Sequence, residues 1–247
     1  MSYFKKNPVP FFLLSRDFIS KGYKPTRAHY FIKLLEKKDK LLRLYTQNID
    51  GLEAKTGISS RRLVNCHGMY ETAHCIDCGH EYSLAEIVKA MGTDENDVNI
   101  PHCEKCNGYV KPDIVMFGEV LPETFSKCVK KDLTKGSDCK VFIVMGTSLT
   151  VHPVATLPSL APHGSTRALL NREKVGPFSH NEGYVQEVGD ESTHLDLFIG
   201  GDDMSIDDAV DRLCEVLGWS DELEELVQQG PIDLVGRSRH EATSDDE

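Results

Sequence analysis

No stretch of this chain approaches the run of about 20 apolar side chains that a helix needs to cross a bilayer. The opening residues, Met1 to Pro8, lack the apolar core of a signal peptide. Both absences point to a soluble intracellular protein with no membrane contact. No basic stripe interleaved with aromatic residues occurs, which argues against direct nucleic acid binding. No internal repeat is visible. Cysteine is also sparse for a disulfide scaffold: there are eight in 247 residues, and four of them form two Cys-x-x-Cys pairs. A reducing compartment and a bound metal fit that usage better than oxidised bridges.

What is present is ordinary for a globular protein, with 40% hydrophobic and 27% charged residues. The formal net charge of -11 is unevenly placed. Residues 1–200 carry 25 Lys and Arg against 24 Asp and Glu, whereas residues 201–247 carry 3 against 15. The acidity belongs to the C-terminal end and says little about any active-site groove.

Phe4, Phe11, Phe12, Leu13, Leu14 and Phe18 surround Pro8 and Pro10 and predict a short helix starting near Pro10. Pro25-Thr26 reads as an N-cap, followed by Ala28, Phe31, Ile32, Leu34 and Leu35 at helical spacing up to Lys37-Lys38. Leu41–Thr46, Leu63–Cys66, Lys140–Met145, Thr166–Leu170 and Leu195–Ile199 are short apolar runs of buried-strand type. Each ends in small or polar residues: Gln47 to Gly51, His67-Gly68, Gly146-Thr147-Ser148, Asn171-Arg172-Glu173 and Gly200-Gly201-Asp202. Ligands of open α/β sheets bind beyond the carboxyl ends of strands, so the repetition predicts a doubly wound nucleotide-binding sheet. On spacing alone, Asn48 to Gly51 reads as turn chemistry before it reads as a site. Helices are predicted over Ile206–Leu217 and from Asp221 to Gln229, and a disordered acidic tail over 231–247.

Cys75 and Cys78, then Cys103 and Cys106, form two Cys-x-x-Cys knuckles separated by 24 residues, with a short helix over Leu84–Met91 filling the spacer. Four thiolates so placed can surround one Zn2+ tetrahedrally, and they leave no position open. The expected ion is therefore structural. Cys66, Cys128, Cys139 and Cys214 read as ordinary core or surface thiols.

Gln47 to Asp50, His67-Gly68, the paired knuckles, Lys111 to Glu119, Gly146 to Leu149 and Asn171 to Glu173 occur in one order. Together they resemble the sirtuins, NAD-dependent protein lysine deacylases, and most of all their eukaryotic class I branch. The likeness covers roughly Tyr3 to Gln229. It implies an α/β fold with a Rossmann-like parallel sheet (1–73 and 111–230) and an inserted four-cysteine zinc-ribbon module (74–110). It also implies NAD and one structural Zn2+ as cofactors, and acetyl-lysine-bearing proteins, histone or cytosolic, as partners in the cytoplasm, the nucleus or both.

In that family the acetyl-lysine oxygen attacks the ribose carbon bearing nicotinamide, and a base then takes a proton from a ribose hydroxyl. The resemblance assigns the base to His67, a residue type titrating near neutrality. It places Asn48 and Asp50 beside nicotinamide and Gln47 beside the ribose. Gly146, Thr147, Ser148, Asn171, Glu173 and Asp203 fall to the rest of the cofactor. Val115 and Phe117 line the tunnel for the lysine stem, though by spacing alone they are equally ordinary core. Phe117, Gly118 and Glu119 on one side, with Thr150 and Val151 on the other, clamp the substrate backbone as a third strand.

The chain departs from the family in two places. It contains no Gly-x-Gly, so the family's first strand and Gly-Ala-Gly-Ile-Ser loop, whose amides hold the pyrophosphate, are missing. The expectation that follows is an N-terminally truncated, weakly active or inactive chain with an exposed strand edge. Asp203 stands where the family commonly has cysteine under the adenine. Two readings remain alongside a truncated deacetylase: a non-catalytic, zinc-containing module that binds proteins, and an unrelated zinc-ribbon interaction protein.

Overall fold

The structure is a computed structural model that describes residues 1–92, 98–179 and 195–232. In chain order the elements are α1 (Ser2–Lys6), α2 (Val9–Ser20), α3 (Arg27–Lys37), β1 (Leu44–Thr46), α4 (Leu52–Lys55), β2 (Leu63–Asn65), β3 (Gly68–Cys75), β4 (Glu81–Ser83), α5 (Leu84–Met91), β5 (Val110–Ile114), α6 (Glu123–Asp132), β6 (Val141–Met145), β7 (Thr166–Asn171), β8 (Leu195–Gly200), α7 (Ile206–Leu217) and α8 (Ser220–Gln229). The chain divides into two compact units. One comprises Met1–Lys24, Tyr45–Leu52 and Asn65–Phe125, and the other Pro25–Leu44, Glu53–Val64 and Ser126–Glu247.

The first unit is built on an antiparallel sheet ordered β4-β3-β5. Helix α5 starts where Ser83 and Glu86 cap each other: Ser83 Oγ accepts the Glu86 amide, and the Glu86 carboxylate accepts the Ser83 amide at 2.7 Å. The helix buries Ile87 and Met91 in a core with Phe4, Phe12, Ala73, Tyr82 and Val110. Phe4 and Phe11 meet edge to face at 5.2 Å, as do Phe11 and Phe12, so the proline-flanked aromatic cluster of α1 and α2 is core here. The β3–β5 ladder pairs Gly68 with Ile114 and Cys75 with Val110, and its register shifts between Gly68 and Ala73.

The second unit holds a parallel sheet ordered β6-β7-β8. Against it pack α3 and α7, with α8 beside them, through Phe31, Leu34, Leu170, Val210, Cys214 and Leu223. Helix α7 repeats the reciprocal cap with Ser205 and Asp208 and ends at Gly218 in the left-handed conformation, φ 69°. Across the β7–β8 ladder, Arg167 lies opposite Asp196. Its guanidinium grips that carboxylate through two bonds of 2.7 and 2.6 Å and also donates to the Pro158 carbonyl.

The α/β class, the parallel sheet and the cysteine module agree with the sequence reading. The single sheet of five similar strands does not. Leu44–Thr46 and Leu63–Asn65 form a two-stranded sheet of their own, while three strands build the parallel sheet. The strand predicted from Leu41 begins only at Leu44, because the Leu41 and Leu42 carbonyls are instead engaged by the Arg62 guanidinium. The acidic tail lies, from residue 233 on, outside the described residues.

Candidate active site and metal centre

The metal centre lies where β3 ends and β5 begins. Each knuckle is closed by a residue with positive φ: Gly79 (φ 70°) returns its amide to the Cys75 carbonyl at 2.9 Å, and Asn107 (φ 61°) does so to Cys103 at 2.8 Å. Gly108 fits because a Cβ there would come within 2.4 Å of Asp77 and 3.1 Å of Cys75 Sγ. The four sulfurs of Cys75, Cys78, Cys103 and Cys106 lie within 4.8 Å of one another, with pairs at 3.4 and 3.6 Å. A tetrahedral Zn2+ with bonds of about 2.3 Å sets its sulfurs about 3.8 Å apart, so the donor set fits zinc.

The charge distribution tells the same story. The Tyr82 hydroxyl, donating to Cys103 Sγ at 3.2 Å, leads in drawing that thiol down to about 6. The Gly108 amide pulls Cys106 the same way, but the crowding sulfurs of Cys75, Cys78 and Cys103 outweigh it and push that thiol up to about 12. Four thiols at this spacing can all be thiolates only around a cation.

The other end of the same two strands carries His67. It follows β2 and immediately precedes β3, and its position is fixed by backbone contacts. The Val115 amide donates to the His67 carbonyl at 2.8 Å. Gly68, at φ 71°, comes so close to β5 that a Cβ would lie 1.9 Å from the Asp113 carbonyl oxygen. Nδ1 of His67 is 2.9 Å from the carbonyl oxygen of Gln47. A carbonyl only accepts, so Nδ1 carries a proton, and in the neutral ring the lone pair is then on Nε2.

Gln47 and His67 are thus brought together through the Gln47 backbone. Asn48, on the same loop, is exposed and donates its amide to Thr46 Oγ1 at 3.1 Å, while Asp50 Oδ1 accepts the Leu52 amide at 3.0 Å. The turn chemistry of Asn48 to Gly51 is therefore real, and it starts α4. Downstream of β5, Val115 is half-buried, Gly118 has φ 89°, and Phe117 is 93% exposed.

The remaining residues singled out in the sequence belong to the second unit, along the carboxyl ends of the parallel strands. Gly146 follows β6 and donates its amide to the Leu170 carbonyl at 3.1 Å. Asn171 closes β7, and its side-chain amide reaches the carbonyls of Thr147 and Glu173 at 3.2 and 2.9 Å. It also pairs with Gly200 of β8, where a Cβ would meet the Asn171 carbonyl at 1.7 Å. Ser148 and Thr150 share a hydroxyl contact of 2.8 Å, and Ser148, Thr150, Val151, Glu173 and Asp203 are exposed. The structure therefore sets the Gly146, Asn171 and Gly200 segments side by side at the carboxyl ends of β6, β7 and β8.

Sequence reading misses three contributors. Tyr82 reads as a strand tyrosine, yet its hydroxyl binds a metal-ligand sulfur. Asp113 accepts from Thr72 and lies 2.8 Å from Nδ1 of His74, tying β3 to β5. Lys111 is buried beneath the loop that follows β5. Lys111 and Asp113 fall within the Lys111 to Glu119 motif quoted from the sequence, but nothing local marks what either side chain holds.

Comparison with known proteins places these features. The Sir2 family model matches residues 1–153. The chain is 42% identical over 231 residues to NAD-dependent deacetylase sir2A of Dictyostelium discoideum, covering 92% of this chain and 42% of that protein. It is 40% identical over 227 residues to NAD-dependent protein deacetylase hst2 of Schizosaccharomyces pombe, with 92% and 62% covered. With NAD-dependent protein deacetylase sirtuin-2 of Danio rerio it shares 39% over 236 residues, with 93% and 60% covered. The chain thus spans between 42% and 62% of the length of these relatives. A family match over more than half of the chain, joined to a four-cysteine centre and a His-Gly turn locked by β5, establishes that this protein belongs to the Sir2 family.

Proposed function

We propose that this chain is an NAD-dependent protein lysine deacetylase, moving the acetyl group from lysine to ADP-ribose with release of nicotinamide. Its proposed substrates are acetyl-lysine-bearing proteins, histone or cytosolic, in the cytoplasm, the nucleus or both. The observation that carries this reading is the placement of His67: with Nδ1 held 2.9 Å from the Gln47 carbonyl oxygen, Nε2 is the nitrogen left to act as base. NAD, when bound, supplies the electrophilic ribose carbon and the hydroxyl whose proton is taken.

The chain's own residues do the rest. His67 Nε2 accepts that proton, and Gly68 and Val115 keep the ring from drifting. Asn48 and Asp50 border nicotinamide. Thr147 and Ser148 offer hydroxyls, and Asn171, Glu173 and Asp203 stand along the strand ends where the nucleotide lies. Phe117, Gly118 and Glu119, with Thr150 and Val151, take the peptide backbone, and Val115 flanks the lysine stem. The cysteine centre holds one zinc and takes no part in bond making.

The test is nicotinamide release from NAD in the presence of an acetyl-lysine peptide. Turnover should depend on the acetyl group, and His67→Ala should lower kcat by about 10² to 10⁴-fold with zinc content unchanged. Turnover equal in the wild type and His67→Ala would refute the assignment.

A further inference from the structure

The loop after β5 presents two apolar side chains to solvent, Phe117 at 93% and Val120 at 92% exposure. Such exposure is costly unless the loop is held from within. Beneath it lies a lysine whose side chain is only 10% exposed. Lys111 Nζ donates to the Ile114 carbonyl at 2.6 Å and to the Pro112 carbonyl at 3.1 Å, and it stands 3.6 Å from Glu119 Oε2. That same oxygen accepts the Met116 amide at 2.8 Å, and the Glu119 amide returns to the Met116 carbonyl at 2.9 Å. One ammonium and one carboxylate thus tie together the segment between Pro112 and Glu119.

We propose that Lys111 is the positioning residue of the peptide-docking loop, with Glu119 turned inward as its counter-charge. Burying an ammonium is unfavourable unless charge and carbonyl oxygens compensate it. Here the carbonyl oxygens come from β5 itself and the opposite charge comes from the loop, so the ammonium is fully compensated only when the loop has this shape. The shape leaves the Phe117 and Val120 side chains outward, where an extended acetyl-lysine peptide can add as a strand, using main-chain bonds for affinity and side-chain pockets for selection. A preformed edge spares the peptide the cost of ordering it. Lys111 touches no reacting atom, so its effect falls on peptide affinity and not on the chemical step. The identity of the docked strand rests on the deacetylase reading, whereas the clamp itself does not.

The experiment compares the full chain with Lys111→Met and Glu119→Gln by amide hydrogen exchange and by steady-state kinetics. In both variants the Met116 and Glu119 amides should exchange at least about tenfold faster. The KM for an acetyl-lysine peptide should rise about tenfold in both, and in Lys111→Met, whose side chain lies beneath the loop, kcat should change less than about twofold. If Lys111→Met does not retain zinc, Glu119→Gln decides, because it keeps both carbonyl contacts of Lys111 and removes only the charge. Unchanged exchange in the folded variants overturns the clamp, and loosened amides with unchanged KM overturn its link to docking. A wild-type chain that neither binds nor turns over the peptide sinks the deacetylase reading, and exchange still decides the clamp.

Discussion

The side chains that matter here are placed by backbone proximity more than by their own bonds. Gly68 shows this most sharply. A methyl group at that position would need to lie 1.9 Å from the Asp113 oxygen, and φ is 71°, so neither sterics nor backbone preference admits any other residue. Gly68→Ala should therefore push β3 away from β5 and lower stability by about 1 to 3 kcal/mol or more, read as a fall in the thermal midpoint. Peptide turnover should drop further than stability alone explains, because His67 is the next residue. The Cys-x-x-Cys ligands are legible in the sequence because four donors at local spacing define a site by themselves. The Tyr82 hydroxyl is not, since its partner Cys103 is 21 residues away and its role depends on how β4 pairs.

Among the elements, helices are legible to within a residue or two wherever a cap is written locally. Leu84–Met91 and Ile206–Leu217 have the bounds expected, each started by a serine whose third following residue is an acid and each followed by glycine. Strands are harder, because pairing is not local: five apolar runs look alike, and only long-range contacts sort them into two sheets. One such contact is the Arg167–Asp196 pair, with side chains 9% and 3% exposed. Removing one partner of a buried pair leaves the other charge stranded, at a cost of about 3 to 5 kcal/mol. Asp196→Asn should accordingly shift the urea midpoint downward. The exposed Arg62–Asp39 pair, at 3.4 Å in the same unit, is the comparison: Asp39→Asn should leave that midpoint nearly where it was.

For the molecule as a whole, the two units differ in what holds them. Each has a hydrophobic core of its own, and the first also gathers one end of its sheet around four sulfurs. A structural zinc supplies on the order of 10 kcal/mol of folding free energy. Stripping it with a chelator should make four thiols reactive toward a disulfide reagent at pH 8 and lower the unfolding midpoint. Cys214 should stay slow in the same sample, because burial pushes its thiol to about 11 and keeps it protonated. The fold class is visible in the sequence because the short apolar runs each end in small or polar residues. The division into two units is not, since it follows from chain crossings at residues 24–25, 44–45, 52–53, 64–65 and 125–126 that no local pattern marks.

The paired strands β3 and β5 have a sulfur cage at one end and the histidine turn at the other, roughly 25 Å apart at the usual rise per residue. They behave as a splint with its fastening at the far end. Whatever loosens the fastening, whether oxidised thiols, a competing chelator or scarcity of the ion, should then change the aim of His67 without touching it. Two samples with identical sequence and intact cofactor residues can then differ in turnover solely by their zinc occupancy, so metal content has to accompany every rate measured on this protein.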